Sequence, residues 1–438
     1  MTALASTRRT RTIAAGLAGL LVLVAAPLLS YYGWDVLRNS KAGTSASTLP
    51  EVGFPSTPTA MIAVVDNQQV VTSLAVLVLA PGTSKGGTLV SIPTNTTRAQ
   101  AFGEPNIAVA DSVINGGADT LVSDVESLAS VTLNYNAIVK ESDLAALLTP
   151  VGSMSVTLPG AVLVPSNAGA STTLFPAGAI SISPAQAAAV LAANDPSQTS
   201  ATRLANVRAV WNGLAGAIGQ GRQPTAVGAT APNSFNDFFA HFMAGPVQVY
   251  NDLNTRPITG NGNPDKRDVG ALDRPSVILV MSGLAPGAMI APYQGQSYRI
   301  ENGLTDADLQ QAGLAGTTTA DLSRDAVGQL LFVESNVVSV SSTVFTLDTH
   351  KVPDKTIVYT ATPMSDGEAQ GLKNLFGDIE FRRPTFTFPL VDVVVVIGRN
   401  YLDVAKGNRQ TAPSVTSTTS ASGASRTVVD TTAATLSF

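Results

Sequence analysis

Residues 391–397 read as a strand, apolar but for Asp392, that ends in Val393-Val394-Val395-Val396-Ile397. A strand has two faces, so such a run must be covered from both sides. Similar runs recur at 61–65, 70–79 and 88–92. The last two flank the turn cluster Pro81-Gly82-Thr83-Ser84-Lys85-Gly86-Gly87 and predict a β-hairpin. Helical spacing follows, with Leu121, Val125 and Leu128 at i, i+4 and i+7. Residues 131–138 alternate like a strand, 141–148 read as a short helix stopped by Pro150 and Gly152, and 155–158 as a strand. Ser183-Pro184 opens a helix through Ala193, with serine as cap and proline at the first helical position. Another helix is expected from near Ser200 to near Gly219. This alternation predicts a layered α/β/α domain. Residues 255–275 are polar and turn-rich and read as a surface loop. A second pattern then begins. After a further strand expected at 276–281 in the first domain, strands are expected at 298–300, 336–340, 356–359 and 391–397, and helices at 322–331 and 366–376, giving a small second α/β domain.

Ahead of this pattern, Arg8, Arg9 and Arg11 precede an apolar run at 13–34. About 20 apolar residues cross a bilayer core. Basic residues stay on the cytoplasmic side, and Tyr31, Tyr32 and Trp34 suit the far interface. The expected organisation is a cytoplasmic N-terminus at 1–12, one transmembrane helix at 13–34 and a Ser/Thr/Gly/Pro linker at 35–58. The first α/β domain then spans 59–296, the second 297–406, and a Ser/Thr/Ala-rich disordered tail 407–438. A cleaved signal peptide is the alternative to an anchor, but no small-x-small cleavage site follows the run. The expected location is therefore the cell membrane, single-pass, with the bulk extracytoplasmic.

Composition excludes several chemistries. Acidic residues outnumber basic ones, 31 to 26, so no basic stripe for nucleic acid is expected. Without cysteine there are no disulfides, thiol nucleophiles or zinc–thiolate sites. His241 and His350 are the only histidines, and neither has a partner ligand at i+3 or i+4. Both read as structural, and no metal site is assigned.

The order of the pieces resembles the LytR-CpsA-Psr family followed by the LytR C-terminal domain. Ser73-Leu74-Ala75-Val76-Leu77-Val78-Leu79 with Thr88-Leu89-Val90-Ser91-Ile92-Pro93-Thr94-Asn95-Thr96 is similar to that family's central hairpin, whose strand ends in Ser-Ile-Pro-Arg-Asp-Thr. Asn115-Gly116-Gly117 resembles its Gly-Gly helix start, and Gln186-Ala187-Ala188 with Arg203 and Arg208 its arginine-bearing helices. Leu133-Asn134-Tyr135-Asn136 through Val156-Thr157-Leu158 resembles its next strand, helix and strand. Arg299-Ile300-Glu301-Asn302-Gly303, Val337-Val338-Ser339-Val340 and Val393-Val394-Val395-Val396-Ile397-Gly398-Arg399-Asn400-Tyr401 follow the C-terminal domain's pattern. The resemblance covers about residues 60–404. It implies a phosphotransferase that moves a glycan from a polyprenyl pyrophosphate to peptidoglycan. It also implies a divalent cation such as Mg, arginines on the pyrophosphate and an apolar cavity for the lipid.

The departures fall on that chemistry. Thr94 and Asn95 stand where the family has Arg-Asp. Val71-Thr72-Ser73 lacks the carboxylate expected ahead of the hairpin strand, and Leu191-Ala192-Ala193-Asn194 replaces Arg-x-Arg. Arg208 aligns with the last family arginine, while Arg203 falls two positions off its counterpart. A neutral group in place of an arginine loses a charge-assisted bond worth about 1.5–3 kcal/mol. The candidate anion-binding residues are thus Arg98, Arg203, Arg208, Thr94 and Asn95. Phe235, Phe238, Phe239 and Phe242 read either as core or as the wall of a lipid cavity. The reading leans away from an enzyme, toward a catalytically degenerate envelope protein that binds a lipid-linked glycan, peptidoglycan or protein partners, with no cofactor. The alternatives are an active Mg-dependent glycopolymer ligase with relocated arginines and a purely structural interaction protein.

Overall fold

The computed structural model describes residues 49–411, except 83–84, 99–105, 167–169, 220–226, 229–230, 260–262, 264–265, 292–294 and 348–349. The apolar run at 13–34 and residues 412–438 lie outside the described residues. No helix among the described residues is long and apolar enough to cross a membrane.

The fold is mixed α/β. The chain begins with β1 (Thr59–Val65), β2 (Val71–Leu79), β3 (Gly87–Ser91), α1 (Ser112–Ala129), β4 (Tyr135–Val139), α2 (Glu141–Leu148) and β5 (Met154–Leu158). It continues through β6 (Val162–Pro165), β7 (Ser171–Phe175), β8 (Gly178–Ile182), α3 (Pro184–Ala192), α4 (Ser200–Gly219), α5 (Phe235–Met243) and β9 (Val247–Tyr250). The first large sheet has the order β4-β1-β2-β3-β9, with β2 antiparallel to both β1 and β3, and β4 and β9 added parallel to β1 and β3 at the edges. Every residue of β1 and β2 is buried, because helices cover both faces. Ala60, Ile62 and Val64, with Leu77 and Leu79, face Leu144 of α2, Leu191 of α3, Trp211 of α4 and the phenylalanines of α5. The alternate residues Met61, Ala63, Leu74 and Val76 face Leu121, Val125 and Leu128 of α1. This is the period-two pattern of a sheet filled from two sides.

A small hairpin of β10 (Thr255–Pro257) and β11 (Gly270–Leu272) lies within the stretch read as a surface loop. Next comes α6 (Arg274–Leu284), which corrects the strand expected at 276–281. Pro275 sits in its first turn, and the Ser276 hydroxyl donates to Asp273 at 2.6 Å. Val277, Ile278 and Met281 share one buried face. Short apolar runs do not separate strand from helix by periodicity alone. Here neighbouring strands decide, because α6 packs on β13 (Asn336–Ser341) of the second sheet.

The second unit contains β12 (Ser297–Glu301), α7 (Asp306–Gln311), α8 (Thr319–Phe332), β13, β14 (Thr356–Thr360), α9 (Asp366–Phe376), β15 (Ile379–Arg382), β16 (Val393–Val396) and α10 (Tyr401–Thr411). Its sheet order is β13-β12-β16-β14-β15. One hydrophobic cluster runs from Met61 and Leu121 through Met281 to Ile300, Leu330 and Val395, so the two sheets share a core. The opposite face of the second sheet is closed by the incoming chain. Val52 donates its N–H to Thr387 O at 2.8 Å, and Phe54 stacks on Phe388 with ring centroids 5.9 Å apart. Under these rings Arg299 pairs with fully buried Glu301, Nε to Oε1 at 2.9 Å, and lies 4.3 Å from the Phe388 centroid. Glu301 also accepts the N–H groups of Phe345 and Thr346, both at 2.9 Å, so this buried pair is well satisfied.

Candidate functional site

The turn after β3 brings the candidate anion-binding residues to the β10–β11 hairpin. Thr96 N–H donates to Pro93 O at 3.1 Å and closes the turn, and Gly270 N–H donates to Asn95 O at 3.0 Å. Thr94 contributes its backbone oxygen, which accepts from Ala110 at 2.9 Å. The Asn95 side chain reaches the hairpin from above. Its Nδ2 donates to Asp268 Oδ1 at 3.4 Å, and its Oδ1 accepts from the Thr255 hydroxyl at 3.3 Å.

Asp268 is the centre of the cluster. Its other oxygen accepts the backbone N–H of Ser200 at 2.8 Å and also the Ser200 hydroxyl. Ser200 is the first residue of α4, so the carboxylate sits on the positive end of a 20-residue helix. Burial pushes the Asp268 carboxyl up. The bonds from Ser200 and Asn95 and the charge of Arg203 outweigh it, and the net shift is downward.

Arg203 lies one turn further along α4. Its Nη1 donates to Gln198 O at 2.8 Å and to Asp195 O at 3.1 Å. Burial pulls its pKa down, against the opposing charges of Asp268 and Asp195. Arg208 is held separately. Its Nη1 donates to Asn254 Oδ1 at 3.1 Å and its Nη2 to Leu253 O. Burial lowers its pKa too, opposed by Asp252. Arg98 is half-buried, its N–H donates to Ile107 O at 3.1 Å, and its Nε has no hydrogen-bond partner among the described residues. The structure thus bonds Asn95 to Asp268 and brings the charge of Arg203 to bear on that carboxylate without a direct contact, with Thr94 and Arg98 on the same loop as Asn95. Arg208, further along α4, is held instead by the segment at Leu253 and Asn254.

Arg208, Asn212 and Asn251 border a cavity of about 560 Å³ between α4 and β5. A second cavity, of about 600 Å³, opens between the β1–β2 turn and α3. Asp66, Asn67, Gln68, Glu141 and Asn194 supply its polar rim. Asp66 Oδ1 accepts from Gln68 N at 2.8 Å and Val70 N at 2.9 Å, and its Oδ2 accepts from Asn194 Nδ2 at 2.9 Å. Close by, the buried Thr72 hydroxyl donates to Leu191 O at 2.7 Å, tying β2 to α3 at the position where the family resemblance implies a charge.

The phenylalanines of α5 are stacked into the core. Phe239 lies between Phe235 and Phe242, with centroids at 6.0 and 6.3 Å, and Phe238 tilts on Tyr135 at 5.6 Å. Phe238, Phe239 and Phe242 are essentially inaccessible, and none of the four borders either cavity described above.

The divalent cation implied by the resemblance does not fit these residues. Three N–H donors already face the Asp66 carboxylate, and Thr72 is engaged with a helix carbonyl. Among the described residues no three His, Asp or Glu side chains gather as a metal site requires. Sequence reasoning missed Asp268, Asp66 and Ser200. Asp66 could have been found from the polar turn Asp66-Asn67-Gln68 between two apolar strands. Asp268 could not, because its partner Asn95 is 173 residues away.

No protein-family model and no curated protein sequence matches the chain. Among solved structures, TagV from B. subtilis is similar at 14% identity over 51% of this chain and 94% of its own, with a TM-score of 0.36. TagT from B. subtilis is similar at 13% identity over 52% of this chain and 89% of its own, with a TM-score of 0.37. A structure described as a putative transcription regulator from Eubacterium siraeum DSM 15702 is similar at 12% identity over 50% of this chain and 88% of its own, with a TM-score of 0.34.

Proposed function

We propose that this chain is a membrane-anchored, extracytoplasmic envelope protein of the LytR-CpsA-Psr type that holds a lipid-linked glycan without transferring it. The motif order from Ser73 to Tyr401 supports the family reading, and the charge pattern of residues 8–34 supports the anchor. One observation carries the loss of transfer. The guanidinium groups of Arg203 and Arg208 donate to carbonyl oxygens of the chain itself, while an internal carboxylate, Asp268, occupies the start of α4. A pyrophosphate needs convergent, charge-assisted donors, and transfer of a phosphoryl group depends on stabilising its negative charge in the transition state. Here Arg203 and Arg208 spend guanidinium donors on carbonyls of the chain itself, and the Nε atoms of Arg98 and Arg208, without a hydrogen-bond partner among the described residues, lie on different elements.

The test uses the full chain in lipid nanodiscs with a polyprenyl-pyrophosphate-linked glycopolymer, peptidoglycan oligomers and Mg. The expected result is saturable retention of the lipid-linked glycan with no release of lipid phosphate. Glycan attached to peptidoglycan with stoichiometric lipid phosphate release would establish the active ligase instead. Failure to retain the glycan would leave a structural role in which the second unit presents itself to protein partners.

A further inference from the structure

The cavity beside α3 differs in chemistry from the arginine-bearing segments. Its volume of about 600 Å³ is that of a small-molecule site, for which about 300–1,000 Å³ is usual. One wall is apolar, made by Val164 and Pro165 of β6, Leu174 of β7 and Ala189 and Ala192 of α3. Leu174 is 39% exposed, one of the few large apolar side chains left open to solvent. The lining also carries three amides, from Asn67, Gln68 and Asn194, and two carboxylates, from Asp66 and Glu141. No lysine or arginine is among the described residues that line it. Asp66 is fixed by its three N–H donors, and Asn194 is fixed on Asp66.

Amides and carboxylates present mixed donors and acceptors that match hydroxyl groups. Apolar side chains in the same lining suit the C–H face of a sugar ring or the start of an alkyl chain. A phosphate would find no cation and two like charges, which disfavour it. We propose that this cavity binds an uncharged polyhydroxylated amphiphile, with sugar hydroxyls at the amide–carboxylate rim and the apolar portion against Leu174. The proposal rests on the glycan-binding reading above and names the part of the glycolipid that is gripped: the uncharged saccharide, not the phosphate.

The experiment measures equilibrium dialysis of two water-soluble probes, butyl β-maltoside and butyl phosphate, against the full chain in nanodiscs and against empty nanodiscs. The wild-type chain is expected to bind the maltoside at least tenfold more tightly than the phosphate. Leu174→Glu, at an exposed site, is expected to weaken maltoside binding at least tenfold without changing the melting temperature. Asn194→Arg is expected to reverse the preference by placing a cation at the rim. Equal or tighter phosphate binding by the wild-type chain, binding of neither probe, or maltoside binding indifferent to Leu174→Glu would overturn the proposal. Retention of the polyprenyl-linked glycan, measured in parallel, separates the two ideas. If it persists while the maltoside does not bind, the cavity assignment fails alone. If it is absent while the maltoside binds at this cavity, the lipid-linked glycan reading fails alone.

Discussion

Asp268 ties together three parts of the chain that sequence distance keeps apart: the turn at Asn95, the start of α4 at Ser200 and the hairpin at Thr255 and Gly270. Its carboxyl titrates below the free value of 3.8, so its contribution to stability has a definite sign. The contribution is present in full above that value and is lost as pH falls through the lower, folded pKa. Asp268→Asn keeps the shape and removes the charge. Its melting temperature is expected to lie below that of the wild-type chain at pH 7, and the two should converge as the pH is lowered past 3.8. A constant gap across that range would mean the charge contributes nothing. The residue scale also explains what sequence reading could and could not supply. Thr94 and Asn95 were legible as neutral residues in a turn after a strand. That Arg203 and Arg208 donate to backbone carbonyls was not, because their acceptors are set by where loops pass in the fold.

Helix boundaries were the most legible elements. The serine cap and first-turn proline expected at Ser183-Pro184 form a full capping box with Gln186, and the helix expected near 200–219 spans Ser200–Gly219. Ser183→Ala is expected to cost about 1 kcal/mol in chemical denaturation. The Asn115-Gly116-Gly117 start behaves differently. α1 begins before it, at Ser112, and breaks at Gly117, where φ is 80°. A Cβ there would meet nothing within 4 Å, so only the backbone resists substitution. Gly117→Ala is expected to cost about 1–3 kcal/mol, because φ 80° with ψ −169° is backbone that essentially only glycine adopts. A neutral effect would show that the kink relaxes to a continuous helix. The strand expected at 276–281 became α6 for a related reason. The unbroken apolar run at 277–281 serves a buried strand as well as a helix, and the buried face of Val277, Ile278 and Met281 against β13 and α8 is the helical one.

At the level of the molecule, α6 joins two sheets into one core. Met281 is fully buried there. Met281→Ala should cost about 2–5 kcal/mol. It should lower the stability of both units together, read by Trp211 fluorescence for the first sheet and amide hydrogen exchange of β16 for the second. Loss confined to one unit would show that the shared core does not couple them. The segment at 50–54 adds a further link, since the chain packs on the second unit before it enters β1.

The amino-acid order alone determined the mixed α/β class, because apolar runs of strand length alternating with helical spacing have few ways to bury their faces. It also determined which positions lack charge, since composition is local information. Tertiary structure decided the destination of α6, the docking of Phe54 on Phe388, the seat of Asp268 on α4 and the bond of Asn194 to Asp66. Each depends on partners tens to hundreds of residues away. Their meeting is set by how whole layers pack, and no local spacing encodes it.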